Sequence, residues 1–258
     1  MPEENSKPFG DPAHPNRPYP WPPPPEDPIP GKAADLIDLS APRLIVIRQG
    51  ARKFDYTVPR IPQERWFEYF DGIVSTAERK GKQVVQHTDA SSAGVELVEK
   101  VVIQDEAAQR MPLAHRLAVA NVLTSAYVPD QDMQGFGQVP LVAIWSAGNG
   151  GTMRRYKNLV HSFEEPTAEQ NRRYRREDSR AQIVGGSRKG TTVYHGAQRA
   201  LADLYDQLIV SVEGYAIGDT PLAGREMIAS HMDTFHKVAS VVRLFAPKEI
   251  EIEDEDEE

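Results

Sequence analysis

Seven histidines and no cysteine limit the chemistry open to this 258-residue chain. Without a thiol there is no cysteine nucleophile, no disulfide and no cysteine-based zinc site. His87-Thr88-Asp89 has a spacing a metal could use, but one such pair falls short of the three or four ligands a site needs. His231 and His236 are five apart, which does not align them on a helix face. His87 and His195 each close a short β-prone run, Val84 to His87 and Thr192 to His195, and that correspondence points to a structural duty. The same duty is expected of all seven. Gly148-Asn149-Gly150-Gly151 is followed by no Lys-Ser/Thr pair, so it reads as a hairpin turn and not a phosphate loop. There is no G-x-S-x-G elbow, no H-E-x-x-H and no dinucleotide fingerprint. The expectation is a protein that is not an enzyme, with no catalytic residue, no metal and no cofactor.

Charge is the stronger signal. The net charge is -8, which gives no global attraction to nucleic acid or to anionic membranes. Between residues 150 and 200, however, eleven basic side chains face five acidic ones, leaving that stretch at +6. Its centre is Asn171-Arg172-Arg173-Tyr174-Arg175-Arg176, with Arg180 one turn on. Arginine is suited to bidentate contact with carboxylate or phosphate. Arg172, Arg173, Arg175, Arg176 and Arg180 therefore form a candidate surface for an anionic partner, an acidic protein segment or nucleic acid. The alternative is a solvated helix with weak local Arg–Glu pairs.

The elements that carry these residues occur twice in one order. Leu44 to Ile47 and Arg52 to Val58 flank a turn at Gln49-Gly50; Leu141 to Trp145 and Arg154 to Phe163 flank the turn at 148–151. Each pair predicts a hairpin. A proline then precedes a helix start in both, and an aromatic follows an acid by five residues, Glu64 to Tyr69 and Glu169 to Tyr174. In the first copy Trp66, Phe70, Ile73 and Ala77 would line one face; in the second, arginines replace the large apolar residues. Pro166-Thr167-Ala168-Glu169 is a helix-start signal, with Thr as cap and a carboxylate at the positive end of the dipole. Arg-Lys-Gly follows at 79–81 and 188–190.

A second helix is predicted from Val95, Val98, Val101 and Val102, and in the other copy from Leu201, Leu204, Tyr205, Leu208, Ile209 and Val212. A third opens on Pro112-Leu113-Ala114 and on Pro221-Leu222-Ala223. It continues through Leu117, Val122, Leu123 and Tyr127 in the first copy, and through Ile228, Met232, Phe235, Val238 and Val242 in the second. The expected fold is α+β: two diverged copies of a β-hairpin followed by about three helices, over 43–128 and 140–247, joined by a polar linker at 129–139.

The ends read differently. Residues 1–42 form a proline-rich extended arm, with twelve prolines among the first thirty residues. Such a run favours polyproline II over helix or sheet. Tyr19 and Trp21 lie inside it and could dock on a partner; otherwise the arm is a passive tail. Residues 248–258 are an acidic tail with eight carboxylates in eleven positions, a solubilising segment or a cover for a basic surface. The first residues, MPEENSKPFGD, are not a signal peptide, and no stretch approaches the ~20 apolar residues of a membrane span.

Pro166-Thr167-Ala168-Glu169, Tyr174-Arg175-Arg176 and Leu204-Tyr205-Asp206-Gln207-Leu208-Ile209, on a chain with an acidic tail, resemble proteins of tailed bacteriophages, closest to tail-assembly proteins and small virion components. The likeness covers mainly the second copy, and the proline-rich arm is not part of that pattern. It implies a structural or assembly protein in a virion or host cytoplasm. It would work through protein–protein contacts with other virion or assembly proteins, as a homo-oligomer, without a membrane. The competing expectation is a nucleic-acid-binding module that uses the arginine-rich face around 154–199.

Overall fold

The computed structural model describes residues 36–79, 82–87, 90–102, 111–129, 137–146, 153–182 and 197–246, with the backbone alone at 74–79, 82–87 and 178–182. Tyr19, Trp21, His195 and the acidic run 248–258 lie outside the described residues. The described chain is mixed α and β, as expected, and no helix in it is long and apolar enough to cross a membrane.

The first half starts with β1 (Ile37–Asp38), then β2 (Arg43–Gln49) and β3 (Arg52–Val58) as an antiparallel hairpin. Gln49 pairs with Arg52, so the loop is the two residues Gly50 and Ala51. Gly50 takes φ +61, the left-handed region that primed hairpin turns need. Helix α1 (Gln63–Ile73) buries Trp66, Phe67 and Tyr69. A second hairpin, β4 (Val74–Arg79) and β5 (Lys82–His87), precedes α2 (Ala90–Val101) and α3 (Leu113–Leu123). The last two pack closely: a Cβ on Gly94 would lie 2.8 Å from that of Ala120. Pro112 stands immediately before α3, where its missing N–H costs nothing.

The second half has β6 (Gln138–Ser146), β7 (Met153–Phe163) and β8 (Ile209–Glu213) in one antiparallel sheet. Helices α4 (Ala168–Gln182) and α5 (Ala197–Leu208) lie between β7 and β8 in the chain. Then come β9 (Tyr215–Ile217), β10 (Thr220–Pro221), α6 (Arg225–His231) and α7 (Thr234–Leu244).

Several expected boundaries move. The helix expected to carry Ala77 ends at Ile73, where Val74-Ser75-Thr76 turns to strand. The helix expected to reach Val212 stops at Leu208, and Ile209-Val210-Ser211-Val212 becomes strand, the conformation β-branched residues favour. Pro221 ends a strand and does not open a helix. The long apolar stripe from Ile228 to Val242 is two helices, not one: Met232 is extended, and the Asp233 carboxylate accepts from the Phe235 N–H to start a new helix. Val139, placed in the linker, is buried in β6. Ile37, Asp38 and Leu39, placed in the arm, belong to the folded body: β1 pairs in parallel with β9, and Ile37 and Leu39 are buried.

Strand β6 joins the halves. Leu141, Ala143 and Trp145 point into the core of the second half, and Ile144 points into the core of the first. Alternate side chains leave a strand on opposite faces, so the unbroken apolar run LVAIW is a strand buried on both sides. Tyr127 bridges to Val142, and the Ser125 hydroxyl accepts from the Ile144 N–H, so the segment after α3 is tied to the same strand. Phe70 of α1 stacks on Phe235 of α7, with ring centroids 5.8 Å apart, at the meeting of the two cores.

Candidate functional site

The arginine surface is built on α4. Thr167 caps it: its hydroxyl accepts from the Gln170 N–H at 3.3 Å, and the Gln170 side chain accepts from the Thr167 N–H at 2.9 Å. This is a reciprocal capping box, legible in the sequence as Thr-x-x-Gln. Anchoring to the body is narrow. Tyr174 stacks flat on Phe245, centroids 4.5 Å apart and planes 9° from parallel, and Glu177 is buried one turn on. On the α5 side Arg173 reaches Asp203 at 3.1 Å.

Three other arginines of α4 face water. Arg172, Arg175 and Arg176 are exposed; Arg176 shows 61 % of its side chain although its Nε donates to Glu177 at 3.3 Å. Arg180 lies in α4, its side chain outside the described residues. Arg172, Arg173 and Arg176 line an open groove with Thr167, Gln170, Gln207 and one acid, Glu169. Exposed pairs such as Arg173–Asp203 contribute little and are screened by salt. The guanidinium groups thus remain open to carboxylates or phosphates, and Arg172, Arg173 and Arg176 share one groove.

A second polar constellation escaped the sequence reading. Tyr205, His161, Tyr215 and His236 form one buried hydrogen-bonded row: 2.7 Å from Tyr205 Oη to His161 Nδ1, 2.9 Å from His161 Nε2 to Tyr215 Oη, and 3.0 Å from Tyr215 Oη to His236 Nδ1. Burial holds His161 well below its ordinary range, with the nearby His236 adding to the effect. Burial, with the Arg43 charge behind it, lowers His236 to about 3. Both imidazoles are therefore neutral at pH 7, and the His161 ring and the Tyr215 hydroxyl can each donate on one side and accept on the other. The tyrosines are raised by the same burial. All four side chains are buried, and the row ties together the core of the second half. His115 is buried as well, its Nδ1 2.7 Å from the Tyr56 hydroxyl.

The row borders the seam between the halves. There Arg43 donates to Asp233 at 2.7 Å with both side chains buried, and its guanidinium lies over the Trp145 ring. Burial lowers Arg43 to about 10 against the pull of Asp233, and raises Asp233 against the pull of Arg43. Desolvation outweighs attraction on both sides of the pair. A cavity of about 270 Å3 opens beside it, lined by Arg43, Arg60, Trp145, Ser230, His231 and Asp233. Its polar lining is largely occupied internally: Arg60 donates to the Ser230 carbonyl, and the Ser230 hydroxyl contacts His231 Nδ1 at 2.8 Å. Lys237, also buried, donates to Asp206 and to the Ala229 carbonyl. The available signals were single polar residues on apolar faces, Lys237 in the stripe of α7 and His161 on an inward position of β7. Among the described residues no three His, Asp or Glu side chains converge as a metal site.

Comparison with known proteins gives no match to a family model, to a curated protein or to a solved structure.

Proposed function

We propose that this chain is a non-enzymatic structural or assembly protein that works through protein–protein contacts, and that the arginine face of α4 is one of its contact surfaces. The observation that carries this reading is the asymmetry of α4. Tyr174 and Glu177 hold it to the body while Arg172, Arg175 and Arg176 stand exposed beside a groove containing Arg173. A core-packing helix carries polar residues on its outer face in any case; here the exposed positions from 172 to 176 are all arginine, which concentrates one sign of charge there. The preferred partner is an acidic protein segment, which guanidinium groups bind bidentately. The setting is the particle of a tailed bacteriophage, on the resemblance of Pro166–Glu169, Tyr174–Arg176 and Leu204–Ile209. Hairpin followed by helices occurs in the same order in each half, which supports an origin by duplication.

The test is fluorescence anisotropy of the full chain with labelled polyglutamate and, separately, with duplex DNA over a range of salt. Binding of polyglutamate that is lost in Arg172→Gln/Arg175→Gln/Arg176→Gln supports the reading. Tighter binding of DNA at 0.15 M salt, with a steep salt dependence, would favour the nucleic-acid module instead, a reading the same exposed arginines allow. Failure to bind either polyanion removes the surface from consideration.

A further inference from the structure

Helix α7 ends at Leu244, and Phe245, the next residue, lies flat on Tyr174 of α4. The chain therefore leaves the described structure, after Ala246, against the helix that bears the arginines. Four residues past Phe245 the sequence becomes acidic, with carboxylates at 249, 251 and 253–258. An α-helix with its side chains is about 10–12 Å across, so passing from the Tyr174 side to the groove side needs roughly 15–20 Å of chain. Twelve residues follow Ala246, and extended chain covers up to about 3.3–3.6 Å per residue, roughly 40 Å in all. Reach is ample, the charges are opposite, and a short tether gives an effective concentration in the millimolar range.

We infer that the acidic run Glu249–Glu258 docks on the arginine face of α4 in the same chain and competes there with the acidic partner. This rests on the reading of that face as an anion-binding surface. Arg172, Arg175 and Arg176 are exposed on the helix that Phe245 packs against, and Arg173 and Gln207 line the groove of that helix. The contact is electrostatic and so weakens as salt shortens the screening length.

The absence of cysteine makes the test direct. In the full-length Gln207→Cys/Glu255→Cys variant a short bismaleimide should form an intramolecular link at 0.05 M salt. Adding Arg172→Gln/Arg175→Gln/Arg176→Gln should cut the yield about tenfold, as should 0.5 M salt, consistent with a screened contact. A yield indifferent to the arginines, or a product linked only between chains, overturns docking in the same chain. Affinity provides the second arm. Neutralising Glu253, Asp254, Glu255, Asp256, Glu257 and Glu258 to the amides should tighten polyglutamate binding about tenfold, by removing a tethered competitor. Equal binding by both chains overturns the competition while leaving the arginine face standing. No polyglutamate binding by either chain overturns the face itself, and with it the competition.

Discussion

Arg43 and Asp233 stand 190 residues apart in the chain and meet at 2.7 Å, joining the first strand of one hairpin to the cap of α7. Removing one partner leaves the other charge buried and unpaired, which costs roughly 3–5 kcal/mol. Arg43→Met is expected to destabilise by that amount in urea unfolding. Arg43→Met/Asp233→Asn should recover most of it, since Asn keeps the cap on the Phe235 N–H and carries no charge. A double variant no more stable than Arg43→Met would show that the Arg43 side chain matters for its packing on Trp145 and not for its charge.

Acid should unfold this protein through its buried histidines. His161 and His236 are neutral in the native state, His236 down to about 3, whereas in the unfolded chain they take up protons near 6.5. Stability from these two groups is complete above 6.5 and falls as pH drops below it, for His236 down to about 3, because the unfolded chain binds more protons. Asp206 and Asp233, raised by burial, act in the opposite sense above 3.8 and offset part of the loss. The urea midpoint is expected to fall between pH 7 and pH 5, with a shallower fall in His236→Gln. Equal midpoints at the two pH values would contradict the buried, neutral assignment.

Two glycines with positive φ should differ sharply. A Cβ on Gly214 would stand 2.6 Å from Leu159 Cδ2 and 2.9 Å from the Asn158 carbonyl oxygen at φ +87, whereas one on Gly50 meets nothing within 4 Å at φ +61. Gly50→Ala is expected to cost about 1–2 kcal/mol, the left-handed penalty alone. Gly214→Ala adds overpacking and should cost roughly 3 kcal/mol or more. Comparable losses in denaturant melts would refute the close approach at β8–β9.

The segment before Pro42 should matter to stability. Ile37 donates to the Gly214 carbonyl at 2.8 Å and Leu39 to that of Ala216 at 2.9 Å, and both side chains are buried. Losing each side chain costs roughly 2–5 kcal/mol. A chain starting at Ala41 is expected to melt about 10 °C or more below one starting at Lys32, given about 2–4 °C per kcal/mol at this size. Equal melting temperatures would mean that β1 adds nothing. Solution mass measured on both by light scattering tests the expected homo-oligomer as well.

Local signals in the sequence determined the elements whose cause is local. The β2–β3 hairpin follows from two β-prone runs about Gly50, α3 from Pro112, and the start of α4 from Thr167 and Gln170. The arginine face was legible for the same reason, since a run of cations on one helix must put some of them in water. Tertiary structure decided what depends on distant partners. Periodicity carried α7 back through Asp233, because an apolar stripe does not record which carboxylate caps a helix; the buried Arg43 and the Phe235 N–H help to fix that residue in place. The row of Tyr205, His161, Tyr215 and His236 draws on α5, β7, β9 and α7, and no spacing in the chain can specify a hydrogen bond between four elements. Ile37 read as arm for the same reason: a two-residue strand has no pattern of its own, and its burial comes from β9, nearly 180 residues later.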